Sequence, residues 1–282
     1  MTLLERSMKL IISLVYHAFQ KGGAVMRALL GKRRPGRFIV LTYHAVKAGD
    51  RRRFASQMDA LKKCGVAEFA DASRPSADGV RIAVTFDDGF ASVAENALPE
   101  MAERGIPATI FVTTGYLGER AGWIHKKSHP NYHEKILSLR QLKDIRGELV
   151  RIGSHSAYHP DLSRVGHEEM VAELRRSKAS LETIFERPVR MLSLPYGGCS
   201  REILDAAKLE GYERIFLNVP LDGKYGDEGH IIGRTNVTPD DWALEFTLKA
   251  SGAYQWLPVA MRVKKRLRSI WNGYAGLRPR SA

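Results

Sequence analysis

The sequence predicts an α/β barrel, and three observations carry that expectation. Seven short apolar runs alternate with segments of helical spacing, which argues a parallel sheet covered by helices. His44, the Asp87, Asp88 pair, His155, Tyr196 and Arg234 all fall at or just beyond the C-terminal ends of those runs. That end is the catalytic face of a (β/α) barrel. An open doubly wound sheet also binds ligands there, but at one switch point, so five contributing strands favour closure. Finally, 282 residues with 44% hydrophobic content suit one barrel-sized domain with flanking segments.

The first segment, residues 3–30, has Leu4, Met8, Ile11, Ile12, Val15 and Phe19 at helical spacing, with Arg6, Lys9 and Lys21 between them. Its longest uncharged run, residues 10–20, falls far short of the ~20 apolar residues that span a bilayer. Lys9 before that run gives it the look of a signal-peptide core. Tyr16, His17 and Gln20 interrupt it, and no clear small-x-small cleavage site precedes the domain. A retained amphipathic helix is the expectation and cleavage the alternative. Lys32-Arg33-Arg34-Pro35-Gly36 marks a boundary. The chain therefore divides into a basic N-terminal segment (1–37), a catalytic domain (38–255) and a basic C-terminal segment (256–282).

Residues 38–43 form a strand that ends at His44, where a lone histidine is more often structural than functional. Phe54, Met58 and Leu61 mark a helix over 51–64. Ile82, Ala83 and Val84 lead a strand into Val84-Thr85-Phe86-Asp87-Asp88-Gly89. Neighbouring strand side chains point to opposite faces, so both carboxylates cannot enter one apolar layer. Burying either without a partner is costly. Gly89 permits a sharp turn, and an isolated Asp-Asp-Gly is as often a turn as a site. A helix over 92–104 presents Ala94, Ala97, Leu98 and Met101 and stops at Gly105; a strand follows at 108–112.

Residues 115–137 lack periodicity and carry Gly118, Gly122, Trp123 and Pro130. A loop of that length in a compact barrel is usually functional. Trp123 and Tyr132 suit stacking on sugar rings; covering the barrel rim is the equal alternative. His125, His129 and His133 recur every four residues, but Pro130 interrupts helical continuity, so they read as solvated loop residues. A short strand at 150–153 then leads into His155-Ser156-Ala157-Tyr158-His159. Two histidines four apart can share a helical face and grip one metal ion.

A long helix over 167–185 ends before Arg187-Pro188. A strand over 189–194 is capped by Pro195-Tyr196-Gly197-Gly198, a helix runs from Ser200 to Gly211, and strands follow at 214–217 and 230–233. Thr238-Pro239-Asp240-Asp241 has the N-cap, first-turn proline and acid of a helix start.

Taken together, Thr-Phe-Asp-Asp-Gly and His-Ser-x-x-His resemble the motifs of the polysaccharide deacetylases, carbohydrate esterase family 4, over about residues 38–250. The apolar strand ending in Tyr-His resembles the branch that acts on exopolysaccharides. The resemblance implies a distorted (β/α) barrel that removes N-acetyl groups from a sugar polymer with a divalent metal. It implies Asp87 as general base, Asp88, His155 and His159 as metal ligands and His44 as catalytic acid. It implies the backbone N–H of Tyr196 in an oxyanion hole. Pro195 and Tyr196, with Trp123 of the long loop, are the candidate substrate-binding residues. Many members carry an arginine where this chain has Ser193; Arg234 at another strand end is the candidate replacement, a surface ion pair the alternative.

These residue types suit amide hydrolysis. A metal on one Asp and two His retains open positions to acidify a water and polarise a carbonyl. Zn²⁺ is the default, and the donor set also suits Co²⁺, Ni²⁺ or Mn²⁺. The alternatives are a deformylase, esterase or other deacylase on the same fold, or an inactive sugar-binding barrel.

Charge lies at the ends. Residues 1–37 hold eight Lys/Arg and one acid, and residues 256–282 hold seven Lys/Arg and none, so each segment carries +7. The remainder is close to neutral, which argues against nucleic-acid binding in its cleft. Cys64 and Cys199 provide no disulfide framework and read as small buried hydrophobes. Val263, Leu267, Ile270 and Trp271 fall at helical spacing among Arg262, Lys264, Lys265, Arg266 and Arg268. Two basic amphipathic helices fit peripheral contact with an anionic membrane, expected at the cytoplasmic leaflet, with a lipid-linked glycan as substrate. Clasping helices packed on the barrel, and a secreted enzyme, are the alternatives.

Overall fold

The computed structural model describes residues 2–32, 36–71, 79–145, 147–221 and 230–275. Part of the predicted boundary at Lys32–Gly36, and the side chains of Lys265, Arg268, Ile270 and Trp271, lie outside the described part. In chain order, α1 (Leu3–Leu29) precedes β1 (Arg37–Tyr43), α2 (Arg51–Cys64), β2 (Val66–Glu68), β3 (Val80–Phe86), α3 (Leu98–Glu103) and β4 (Ala108–Val112). Then come α4 (Leu139–Asp144), β5 (Val150–Ser154), α5 (His167–Phe185), β6 (Met191–Ser193), α6 (Arg201–Leu209), β7 (Arg214–Leu217), β8 (Ile231–Asn236), α7 (Ala243–Ala250) and α8 (Leu257–Ala275).

Seven parallel strands close into a barrel, β1-β3-β4-β5-β6-β7-β8 and back to β1. Strand β1 pairs with β3 along its whole length, Arg37 with Val80 through Tyr43 with Phe86. It meets β8 at Val40–Arg234, Leu41–Thr235 and Thr42–Asn236. Strand β2 adds outside the ring, on the first half of the β3 edge that β4 takes from Val84 onward. The ring is distorted at β5–β6, joined by the single pair Ser154–Leu192.

Alternation sorts the side chains. Val40, Ala83, Phe111, Met191 and Phe216 fill the barrel, with the Phe111 and Phe216 rings 4.8 Å apart. Gly153 makes room for them: a Cβ there would lie 2.6 Å from the Phe111 ring. Leu41, Tyr43, Ile82, Phe86 and Ile110 point outward, beneath Phe54, Met58 and Leu61 of α2 and Leu174 and Leu181 of α5. Tyr43, Phe54 and Phe86 interlock with centroids 5.2–6.0 Å apart.

Several expectations need correction. The helix expected over 92–104 holds a wide π turn at Val93–Ala97 before α3, where Pro99 has no N–H to continue the ladder. The Thr238–Asp241 pattern closes a turn in which Thr238 bonds the Asp241 carboxylate, and α7 starts at Ala243. Strand β8 extends to Asn236, so Arg234 stands within it rather than past its end. The unpredicted α4 opens with a capping box between Ser138 and Gln141.

Candidate active site

Asp87 follows β3 on the inward-facing set of Ala83 and Thr85, at the C-terminal mouth of the barrel. It is fully buried. Arg234 reaches it from β8 and binds it through two parallel hydrogen bonds, Nη1 to Oδ1 at 2.7 Å and Nη2 to Oδ2 at 2.6 Å. Nη2 also donates to Ser193 Oγ at 2.7 Å and to Asn218 Oδ1, Nη1 to Thr85 Oγ1 at 3.2 Å, and Nε to the Leu217 carbonyl at 3.2 Å. Both ends of this buried pair are thus satisfied, the condition for a buried ion pair to be tolerated. Arg234 is fully buried, not on the surface. Burial, the largest single influence, pushes the Asp87 carboxyl upward, but the charge and hydrogen bonds of Arg234 together with the nearby His155 and His44 outweigh it and hold the group below the usual range.

Asp88 turns the opposite way. Its φ of 70° places it in the left-handed region, and Gly89 (φ 76°) completes the turn, where a Cβ would lie 3.2 Å from Val112. Asp88 Oδ1 faces His155 Nε2 at 3.4 Å and His159 Nε2 at 3.3 Å. Both distances are longer than a good hydrogen bond. The two histidines do not share a helix: His155 follows β5 directly, and His159 lies in an irregular loop.

That loop is held from beneath. Glu173 of α5 is buried, and its Oε2 accepts from the backbone N–H of Ala157 (3.0 Å) and of Tyr158 (2.7 Å). Ser156 Oγ accepts from His159 N at 3.0 Å, and Ser154 Oγ donates to Ser177 Oγ at 2.8 Å. Ser156 (φ 62°) and His159 (φ 59°) are left-handed, as is Tyr196 (φ 56°). Of five described non-glycine residues with positive φ, four therefore surround this site. Such conformations cost free energy and persist only where surrounding contacts impose them.

The donor set fits a divalent cation. One ligand atom each from Asp88, His155 and His159 lies within 4.8 Å of the others, and all three residues are buried. His155 Nδ1 lies 2.8 Å from the Ser193 carbonyl, an acceptor that requires the proton on Nδ1 and leaves Nε2 with a lone pair toward Asp88. Asp88 Oδ1 is buried with no hydrogen-bond partner within normal reach. Burial pushes Asp88 upward, yet its histidine contacts outweigh that and lower its pKa. For His155 burial acts downward, but the charges of Asp87 and Asp88 win and raise it; His159 is lowered by burial. A proton and a cation would compete for the same lone pairs.

These residues form the wall of a cleft of about 660 Å³, with His44, Asp88, Trp123, His155, His159 and Tyr196 among its lining. Trp123 lies on His159, with centroids 4.3 Å apart and planes 13° apart, so one indole face is already covered. Pro195 is buried in the turn that presents Tyr196, and the Tyr196 ring is exposed beside His159 at 4.8 Å. His125, His129 and His133 are exposed, outside the donor cluster. Glu173 and Asn218 were not foreseen. An acid between Met170 and Leu174 on the inward face of α5 is the signal that marks Glu173; Asn218 follows a strand and carries no motif.

A family model described as polysaccharide deacetylase matches residues 75–215. YxkH of Bacillus subtilis, which bears the polysaccharide deacetylase name, is 25% identical over 220 residues, 73% of each chain. The poly-β-1,6-N-acetyl-D-glucosamine N-deacetylase of Staphylococcus aureus is 25% identical over 143 residues, 47% of this chain and 46% of its own. Among solved structures, IcaB from Ammonifex degensii superposes with a TM-score of 0.62 at 25% identity, covering 77% of this chain and all of its own. The Streptococcus pyogenes deacetylase PplD shares the fold, with a TM-score of 0.61 at 18% identity. Matched by the family model across half its length and by IcaB across its barrel, the chain belongs to the polysaccharide deacetylase family, carbohydrate esterase family 4.

Proposed function

We propose that the protein is a metal-dependent carbohydrate N-deacetylase that hydrolyses the acetamide of N-acetylated amino sugars in a polysaccharide or lipid-linked glycan. The observation that carries this reading is the buried Asp88, His155, His159 donor set beside an Arg234-bound Asp87 at the C-terminal mouth of the barrel. Relatives named for poly-β-1,6-N-acetyl-D-glucosamine deacetylation point to the substrate class. The basic flanks favour a glycan presented at an anionic membrane surface.

Asp88, His155 and His159 would hold the cation, with zinc the default by donor type. A bound divalent cation supplies Lewis-acid polarisation of the acetyl carbonyl and lowers the pKa of water. Asp87 accepts the water's proton on a carboxylate oxygen. Arg234 keeps that carboxylate ionised and fixes its plane, at the cost of basicity. Each oxygen retains a lone pair beyond its guanidinium bond. His44, on the cleft wall, donates a proton to the departing nitrogen. The backbone N–H of Tyr196 faces the developing oxyanion. Tyr196 and the uncovered face of Trp123 bound the sugar.

The test joins metal analysis of the purified chain with acetate release from β-1,6-linked N-acetylglucosamine oligomers. Stoichiometric divalent metal with metal-dependent acetate release is expected. Bound metal with formate or O-acetyl release only would move the protein to another deacylase class. Glycan binding without turnover would make it a sugar-binding barrel.

A further inference from the structure

Helix α1 is attached to the protein by its polar side. Arg6, Leu10, Ser13, His17 and Gln20 recur every three or four residues, on one stripe. Arg6 Nε donates to Glu245 at 2.7 Å and Nη2 to the Asp240 carbonyl at 2.6 Å. Trp256 Nε1 donates to the fully buried Ser13 Oγ at 2.9 Å, and His17 Nδ1 lies 3.3 Å from Ser251 Oγ. Arg37 Nη1 donates to Gln20 Oε1 at 3.1 Å. Only Leu10 makes an apolar contact from this stripe, against Leu248, Ala253 and Tyr254.

The apolar stripe lies about half a turn away, given ~100° per residue. Leu4, Met8, Ile11, Val15, Phe19 and Met26 are 72%, 53%, 60%, 52%, 76% and 58% exposed. A surface helix of a globular protein ordinarily buries such a stripe. Here the arrangement is reversed: polar bonds fasten the inner face, and the apolar face is turned outward along the length of the helix. Val259, Val263 and Leu267 of α8 are exposed in the same manner.

We propose that α1 is a membrane-surface anchor whose outward apolar stripe enters the head-group region of an anionic bilayer. The +7 charge of each terminal segment decides the occupant. Pairing the stripe with that of a second copy would bring four such segments together, whereas anionic lipid neutralises them. Among the described residues no helix is long and apolar enough to cross a membrane, so α1 lies along the surface. Its first turn is bonded to the Asp240 carbonyl, and Asp240 lines the catalytic cleft. The anchor therefore holds one rim of the cleft at the bilayer. A lipid-carried glycan follows as substrate, a corollary that rests on the deacetylase reading; the anchor itself does not.

The test floats the full chain with vesicles of phosphatidylcholine, with and without phosphatidylglycerol, at low and high salt, beside the double variant Ile11→Glu, Val15→Glu. Both positions are exposed, so unfolding by heat is expected to match wild type. The wild-type chain is expected to float with phosphatidylglycerol vesicles, less so at high salt, and the variant to partition about tenfold more weakly or worse. Acetate release from a soluble oligomer should be unchanged in the variant. A wild-type chain that floats without releasing acetate would sink the deacetylase reading and leave the anchor. Equal partition to both vesicle types, no flotation, undiminished binding by the variant, or a stripe-dependent dimer that ignores vesicles overturns the anchor.

Discussion

Asp87 and Asp88 are adjacent and both buried, yet they have different partners. Asp87 belongs to Arg234, with both oxygens bonded, while Asp88 Oδ1 is left to the two histidines. This division yields a paired expectation: Asp88→Ala loses metal and turnover, whereas Asp87→Asn keeps metal by elemental analysis and loses turnover. A fully active Asp87→Asn with reduced thermal stability would make the Asp87–Arg234 pair structural. Arg234→Met should destabilise by about 3–5 kcal/mol, because it leaves a buried carboxylate without its cation. Denaturant unfolding measures this, and adding Asp87→Asn should recover part of the loss. The motifs made Asp87, Asp88, His155 and His159 legible from sequence. Arg234 was readable only as a candidate, since nothing local says that β8 lies one strand from β3 across β1. Its guanidinium lies against Ser193 Oγ, the position whose expected arginine is absent.

At the scale of the element, the His155–His159 loop takes its shape from α5. Ser156 and His159 stay left-handed because Glu173, Ser154 and Ser156 accept the loop's backbone N–H groups. Glu173→Ala strands the Ala157 and Tyr158 donors in a buried setting, at about 1–3 kcal/mol of stability. Residues that orient ligands typically contribute 10- to 100-fold in metal affinity, so a weakening of about that size is expected. Glu173→Gln retains an acceptor and should recover most of both losses; metal titration of the three proteins checks it, and a Gln variant as weak as Ala would refute the acceptor role. Helix α5 matched its predicted bounds because its apolar spacing is regular and Arg187-Pro188 follows. The His-x-x-x-His spacing suggested a helical face where the chain forms a loop, since four-residue spacing does not distinguish helix from turn. Thr238–Asp241 misled for a related reason: an Asp that caps a helix can equally close an isolated turn.

For the whole molecule, the site is a seam that joins separate parts of the barrel. Asp88 follows β3, His155 and His159 follow β5, and His155 is oriented by the Ser193 carbonyl at the end of β6. These lie around the part of the ring where β5 and β6 share one register pair. The alternation of strand and helix made the barrel legible; this thin seam was not, because register arises between distant strands. A ligand bound only by the folded state stabilises by mass action. At metal concentrations about 100-fold above Kd the gain is about 2.7 kcal/mol. For a domain of this size each kcal/mol shifts Tm by about 2–4 °C, so chelated and zinc-loaded protein should differ by about 5–10 °C. Calorimetry of the chelated chain, then of the same sample reloaded with Zn²⁺, Co²⁺, Ni²⁺ or Mn²⁺, measures this and ranks the cations without needing a substrate. Asp88→Ala should abolish the shift and Asp87→Asn retain it. An identical Tm in all states would mean that the three donors hold no cation in the folded protein, and a shift that survives Asp88→Ala would place the cation elsewhere.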